Sequence, residues 1–119
     1  MARAMANRWR RYAVVMITCD KTGEARRIAR RLVQARLAAC ASVYPKGESI
    51  YRWRGVVERA REHLVLAKAR LDALPRLVEE VKRIHSYEVP EIAAFPLVGG
   101  SGEYLEWLTE ELCAKKSRR

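Results

Sequence analysis

Two short stretches of this chain concentrate side chains able to do chemistry. His85-Ser86-Tyr87-Glu88-Val89-Pro90-Glu91-Ile92 sets an imidazole, a phenol and two carboxylates around a rigid proline. Tyr51-Arg52-Trp53-Arg54-Gly55 places two large aromatics at i and i+2, on one face of a strand, and stops at a turn glycine. Glu88 and Glu91 are candidates for an acid–base pair, which needs two carboxylates in different environments. The plainer reading, salt bridging to Arg52 or Arg54 across a subunit contact, is the one we favour. No Ser-His-Asp order, nucleophile elbow, Walker loop or G-x-G-x-x-G fingerprint occurs, and no enzymatic activity is expected.

Composition narrows the setting. A chain of 119 residues, half of them apolar, makes one domain with a real core. The net charge is +10, but its distribution matters more than its size. Residues 1–11 and 115–119 together hold eight basic residues and no acid, leaving 16 basic against 14 acidic residues between 12 and 114. A basic flexible N-terminal arm (1–11), a nearly neutral single domain (12–114) and a basic C-terminal tail (115–119) follow. The high pI alone therefore argues weakly for nucleic acid. Three cysteines, Cys19, Cys40 and Cys113, form no C-x-x-C pair. With no secretory signal and no apolar run of membrane-spanning length, reduced thiols in a cytoplasmic protein are expected.

Hydrophobic periodicity supplies the elements that must position these groups. Tyr12 to Cys19 reads as a buried strand, and Asp20 to Gly23 as turn and cap. A helix follows to about Leu37, with Ile28 and Leu32 inward and an arginine stripe outward. Ala39 to Arg54 reads as a strand kinked at Pro45-Lys46-Gly47. Gly55 turns the chain into a long returning strand, Val56 to Ala69. Asp72 caps a second helix carrying Leu74, Leu77, Val78, Val81 and Ile84. Pro90 leads into a last strand, Ile92 to Val98, and Ser101 caps a third helix through Leu105, Leu108 and Leu112. This βαββαβ order with an added C-terminal helix is an α+β, ferredoxin-like sandwich. One sheet face is left bare and the β2–β3 hairpin is long, so oligomerisation is expected.

Leu32-Val33-Gln34-Ala35-Arg36-Leu37-Ala38-Ala39-Cys40, then Ser49 to Gly55, then His85 to Ile92, resemble in order and spacing the CutA family of divalent-cation tolerance proteins. The resemblance runs from about Val14 to Leu112. It implies a ferredoxin-like protomer in a homotrimer similar to PII signalling proteins, with a metal-binding, non-catalytic role in tolerance of copper or other divalent ions. Ser86 stands where the family pattern usually has proline, which is expected to loosen the backbone beside His85. The basic tails lie outside the pattern.

The resemblance offers Cys40 and His85 as metal ligands, with Cys19 as a weaker addition. Thiolate with imidazole suits copper or zinc rather than magnesium or calcium. The same residues have quieter readings. Cys40 can be a small buried hydrophobe, and His85 can cap the second helix's carbonyls. Tyr51, Trp53, Tyr87, Glu88, Pro90 and Glu91 are expected at a subunit interface. Two further functions remain open: a PII-like module with a small anion or nucleotide in its intersubunit clefts, and a nucleic-acid binder using the tails and first helix. Against the last, the RNA-binding K/R-G-F/Y-G/A-F signature is absent.

Overall fold

The β-branched run Tyr12–Cys19 becomes β1, an interior strand of a four-stranded antiparallel sheet. The computed structural model describes residues 11–113; most of the two basic arms and the side chain of Cys113 lie outside the described residues. After β1 come α1 (Thr22–Gln34), β2 (Cys40–Trp53), β3 (Val56–Arg70), a 3-10 turn (Leu71–Ala73), α2 (Leu74–Ile84), β4 (Ile92–Pro96) and α3 (Gly102–Cys113). The strand order is β2-β3-β1-β4, the ferredoxin-like arrangement.

Strand alternation divides the side chains between two faces. On one, Val15, Ile17 and Cys19 of β1 and Val65, Ala67 and Ala69 of β3 meet Ile28 and Leu32 of α1 and Leu77 and Val81 of α2. Each large aliphatic side chain so buried contributes about 1.5–3 kcal/mol. On the other, Tyr12 packs with Leu105, Leu108 and Leu112, so α3 covers the Tyr12 end of that face. Glu80 ties α2 to α1 through Arg31, and Arg83 of α2 itself holds the same carboxylate. Those two hydrogen bonds, Arg83's first, hold its carboxyl at about 2.

Helix α1 ends without glycine. Leu37 N–H reaches Leu32 O and Arg36 N–H reaches Val33 O, the two bonds of a Schellman motif. Arg36 consequently sits at φ +60. Ser101 caps α3 as expected, its hydroxyl accepting the Tyr104 N–H at 3.3 Å. Asp72 does not cap α2. It lies in the 3-10 turn, and its carboxylate is gripped by Arg70 instead.

β3 outruns its neighbour. His63 to Arg70 pair with β1, whereas Val56 to Glu62 pair only with β2. The hairpin therefore projects as a two-stranded arm, roughly 20 Å long at 3.3 Å per residue. It closes with Arg54 and Gly55 both at positive φ, matching a tight type I′ turn. At its root the register shifts between Tyr44 and Gly47, the kink expected at Pro45. Lys46 adopts φ +65 there.

Gly47 sits where the bulged strand rejoins its partner, and a Cβ on it would lie 2.8 Å from the Glu62 carbonyl oxygen. Gly47→Ala should therefore cost about 1–3 kcal/mol, seen as a lower urea midpoint. A midpoint equal to that of the unaltered protein would show that the bulge accommodates a side chain.

Candidate functional site

The two chemically rich stretches, far apart in sequence, converge in one cleft. Its volume is about 680 Å³, and its walls include Tyr51 and Trp53 from β2, Glu62 from β3, and Tyr87, Glu88 and Glu91 from the loop before β4. Strand parity explains the meeting. Tyr51 pairs with Glu58 and Trp53 with Val56, which puts both aromatics on the sheet face away from α1 and α2. Three carboxylates and no basic side chain line this cleft, so it favours cations over anions.

A chain of hydrogen bonds clamps the loop against the sheet. Helix α2 ends at Ile84, and His85 turns to an extended conformation. Its imidazole does not cap the α2 carbonyls. Nε2 donates to Thr18 O on β1 at 2.7 Å, and Nδ1 accepts the Tyr87 N–H at 3.0 Å. Those partners assign the neutral ring with its proton on Nε2. Tyr87 packs its ring 4.9 Å from the imidazole and donates its hydroxyl to Glu62 Oε2 at 2.9 Å. Burial first, and then the Glu62 carboxylate, push the phenol well above its ordinary range.

Ser86 tightens this loop instead of loosening it. Its N–H meets Glu24 Oε2 at 2.6 Å and its hydroxyl meets Glu24 Oε1 at 3.1 Å. Proline would lack both donors. Glu24, only 7% exposed, also gains from the positive end of α1, and its Oε2 lies 3.6 Å from His85 Nδ1.

His63 is the residue that the sequence reading passed over. It is buried, and its Nδ1 accepts the Lys46 N–H at 2.9 Å. The Thr22 hydroxyl lies 3.2 and 3.3 Å from its two nitrogens. The ring thus fixes the bulge at the root of the arm to the start of α1. Its shared parity with Val65, Ala67 and Ala69 was the available signal. Glu24 had a similar one, falling in step with Ile28 and Leu32 on the inner stripe of α1.

The three residues offered as metal ligands occupy different surroundings. Cys40 is half-buried on the face that carries α3, with its sulfur 3.5 Å from the Tyr104 hydroxyl. Burial and the neighbouring thiol push that phenol up to about 12. Cys40 pairs with Lys68, which pairs with Val14, whereas His85 reaches Thr18. Four residues of β1 separate the two places, about 13 Å. One protomer therefore does not bring Cys40 and His85 to a common ion. Cys19 points into the helix-covered core and is fully buried. Burial, followed by the charges of Glu24 and Glu62, pushes its thiol up to about 12. Among the described residues, no group of three or more histidine, cysteine or carboxylate side chains is arranged to hold an ion. Glu88 and Glu91 make no ion pair with Arg52 or Arg54 within the protomer. Arg54 lies over the Trp53 ring at 5.4 Å.

Comparison with known proteins supplies the context for this geometry. Residues 13–111 match the family described as CutA1 divalent ion tolerance protein. The chain is 50% identical over 97 residues to the divalent-cation tolerance protein CutA of Thermus thermophilus, covering 82% of this chain and 94% of that one. It is 42% identical to the chloroplastic protein CutA of Arabidopsis thaliana over 80% of this chain, and spans about half (52%) of that longer protein. The solved Thermus thermophilus structure superposes with a TM-score of 0.81 at 48% identity, covering 84% of this chain and 97% of that one. A structure described as the periplasmic divalent cation tolerance protein CutA of Archaeoglobus fulgidus gives 0.80 at 37% identity, covering 85% and 98%.

The Cys19 environment makes a pH-dependent prediction. A free cysteine in the unfolded chain ionises near 8.5, whereas folded Cys19 holds its proton to about 12. Its contribution is complete below the lower value and is lost as pH rises through the higher one. The alkaline fall in stability between about pH 9 and 12 should shrink in Cys19→Ala. In a Cys113→Ser background at pH 8, Cys40 should react with a thiol reagent while Cys19 stays protected until unfolding. Equal labelling of both thiols in the folded protein would contradict this.

Proposed function

The chain belongs to the CutA1 divalent ion tolerance family, and from that premise we propose that it acts as a non-enzymatic homotrimer handling copper-like ions. The family carries the coarser part, a divalent-cation tolerance role. The observation that carries the assembly is the state of the open sheet face. Tyr44, Tyr51, Trp53, Val56 and Phe95 are each 43–57% exposed in a single protomer, and the arm that bears three of them has no third strand. A two-stranded ribbon is marginal alone in water. Packing arms and open faces against neighbouring copies covers both. The interface assigned to Tyr51, Trp53, Tyr87, Glu88, Pro90 and Glu91 then coincides with the cleft, where a neighbouring cation, including a partner guanidinium, meets Glu88 and Glu91.

For the ion itself we assign the donor role to Cys40. Among the described residues it is the thiol that is only half-buried, and thiolate sulfur selects copper(I) or zinc over hard cations. Cys19 and His85 go to the framework in this reading, because one is sealed in the core and the other has both ring nitrogens engaged. A cytoplasmic setting, which keeps such a thiol reduced, completes the proposal. No helix among the described residues is long and apolar enough to cross a membrane. The carboxylates of the cleft disfavour the alternative of a bound anion or nucleotide there.

Two measurements test this reading. Light scattering at low micromolar concentration should give three times the protomer mass. Trp53→Ala should lower that mass while the far-UV spectrum of the protomer persists, since removing a tryptophan buried on assembly costs about 3–5 kcal/mol. A monomeric unaltered protein would end the trimer proposal. In copper(I) or zinc titrations Cys40→Ser should lose bound metal and its accompanying proton release, while Cys19→Ala retains both. Unchanged stoichiometry and affinity in Cys40→Ser would remove Cys40 from the site.

A further inference from the structure

A second, smaller cleft lies at the Tyr12 end of β1, where α1 ends, β3 ends and α2 begins. Its volume is about 200 Å³, and Arg36, Arg70 and Arg76 stand in its lining with Asp72 as the single acid. Leu37 and Leu112, both buried, supply an apolar backing. Arg70 grips Asp72 through two hydrogen bonds, Nε to Oδ1 at 2.8 Å and Nη2 to Oδ2 at 2.5 Å. That fork fixes the plane of a guanidinium whose side chain is only 27% exposed. Arg36 and Arg76 form no ion pair or side-chain hydrogen bond among the described residues. Three guanidiniums against one carboxylate leave a net charge of +2 in a small concave space.

Two features of the backbone point the same way. Arg36 occupies the left-handed position that closes α1, at φ +60. Glycine is the usual occupant there, because it carries no Cβ penalty. Arginine stands in its place and lines the cleft, so the backbone holds a disfavoured residue where a positive charge is wanted. Neither the 3-10 turn nor α2 has a side chain capping its N-terminus. Asp72, Ala73 and Arg76 are in the lining, so the positive end of α2 opens on the same space. The arginine stripe of α1 is a poorer site: Arg31 is bound by Glu80, and Arg27 donates to the Ile84 carbonyl.

We propose that the Arg36–Arg70–Arg76 cleft binds a doubly charged phosphate group, carried by inorganic phosphate or a small phosphorylated molecule. Guanidinium forks match phosphate oxygens bidentately. Arg36 and Arg76 offer their forks without giving up another partner, so the ion need not break the Arg70–Asp72 pair. A phosphoryl group carries about −1.5 to −2 charge near pH 7, which the lining balances. Size narrows the ligand further. Sites for drug-sized molecules run roughly 300–1,000 Å³, so this cleft admits a single anionic group and not a nucleotide. Bound there, the ion joins the end of α1 to the end of β3 and the start of α2.

The test is calorimetric titration of the full chain with inorganic phosphate at constant ionic strength, with acetate as the reference anion. Arg36→Gly and Arg76→Gln should each weaken phosphate binding about tenfold, through loss of charge-assisted hydrogen bonds. Glycine suits φ +60, so Arg36→Gly should keep or raise the urea midpoint in phosphate-free buffer while it loses the ion. Arg26→Gln with Arg30→Gln removes two charges from the exposed face of α1 and should leave phosphate affinity unchanged. Equal weakening by the α1 pair would show diffuse charge attraction and overturn the site, as would acetate binding as tightly as phosphate. Absence of phosphate binding by the unaltered protein would also overturn it. Binding to phosphatidic acid vesicles without binding of free phosphate would assign the cleft to a lipid headgroup and end the small-molecule proposal.

Discussion

The rest of the structure answers to one mismatch of length: β3 is fifteen residues long and β1 only eight. Everything paired with β1 belongs to a closed core with helices on one face. Everything beyond His63 is a ribbon of two strands whose backbone and apolar side chains lack a third partner. A strand edge of that length is an open template for pairing, and the exposed Ile50, Tyr51, Trp53, Val56 and Val57 would gain by burial. The arm thus has a defined direction but no support of its own, which is why assembly enters the functional proposal before any ion does.

Direction is set where the arm leaves the core. The bulge at Lys46 raises the local twist, and a buried imidazole accepts the N–H that the bulge would otherwise strand. One strand position away, Glu62 receives Tyr87, which is linked through His85 to β1, while Ser86 binds Glu24 at the start of α1. The walls of the acidic cleft are therefore fixed from both sides by the same few polar groups. Such a network is rigid only when every member is satisfied. Among the described residues no buried side-chain nitrogen or oxygen lacks a partner.

The strands and helices were legible in the sequence because period 2 and period 3.6 were both clean there. Pro45 and Gly55 marked the bulge and the turn for the reasons that make them rare in ladders. The final strand stops at Pro96, two residues short of the expected Val98. Asp72 looked like a cap because aspartate before a leucine-rich stripe often is one, but the adjacent Arg70 competes for its carboxylate. The cleft was half legible: its aromatic wall and its loop were singled out, yet nothing in spacing said that they meet. The ligand set was least legible, since Cys40 starts a strand and His85 follows a helix, and nothing in their spacing says that they stand at different positions along β1. Parity also could have flagged His63, but a histidine among alanines in a strand does not announce that a backbone N–H needs it.

Clefts of opposite lining sit toward the two ends of β1, one with Glu62, Glu88 and Glu91 and the other with Arg36, Arg70 and Arg76, and the separation is large enough to matter. Tyr12 pairs with Arg70 at one end of β1, and Cys19 pairs with His63 at the other, about 23 Å apart at 3.3 Å per residue. That is nearly three Debye lengths at physiological ionic strength. The arginine cleft therefore does not neutralise the glutamates of the acidic cleft, nor they it. The closed core between them is built mainly of aliphatic side chains. Each end can attract ions of opposite sign without the other weakening it, and a subunit contact through the arm acts on the acidic end alone.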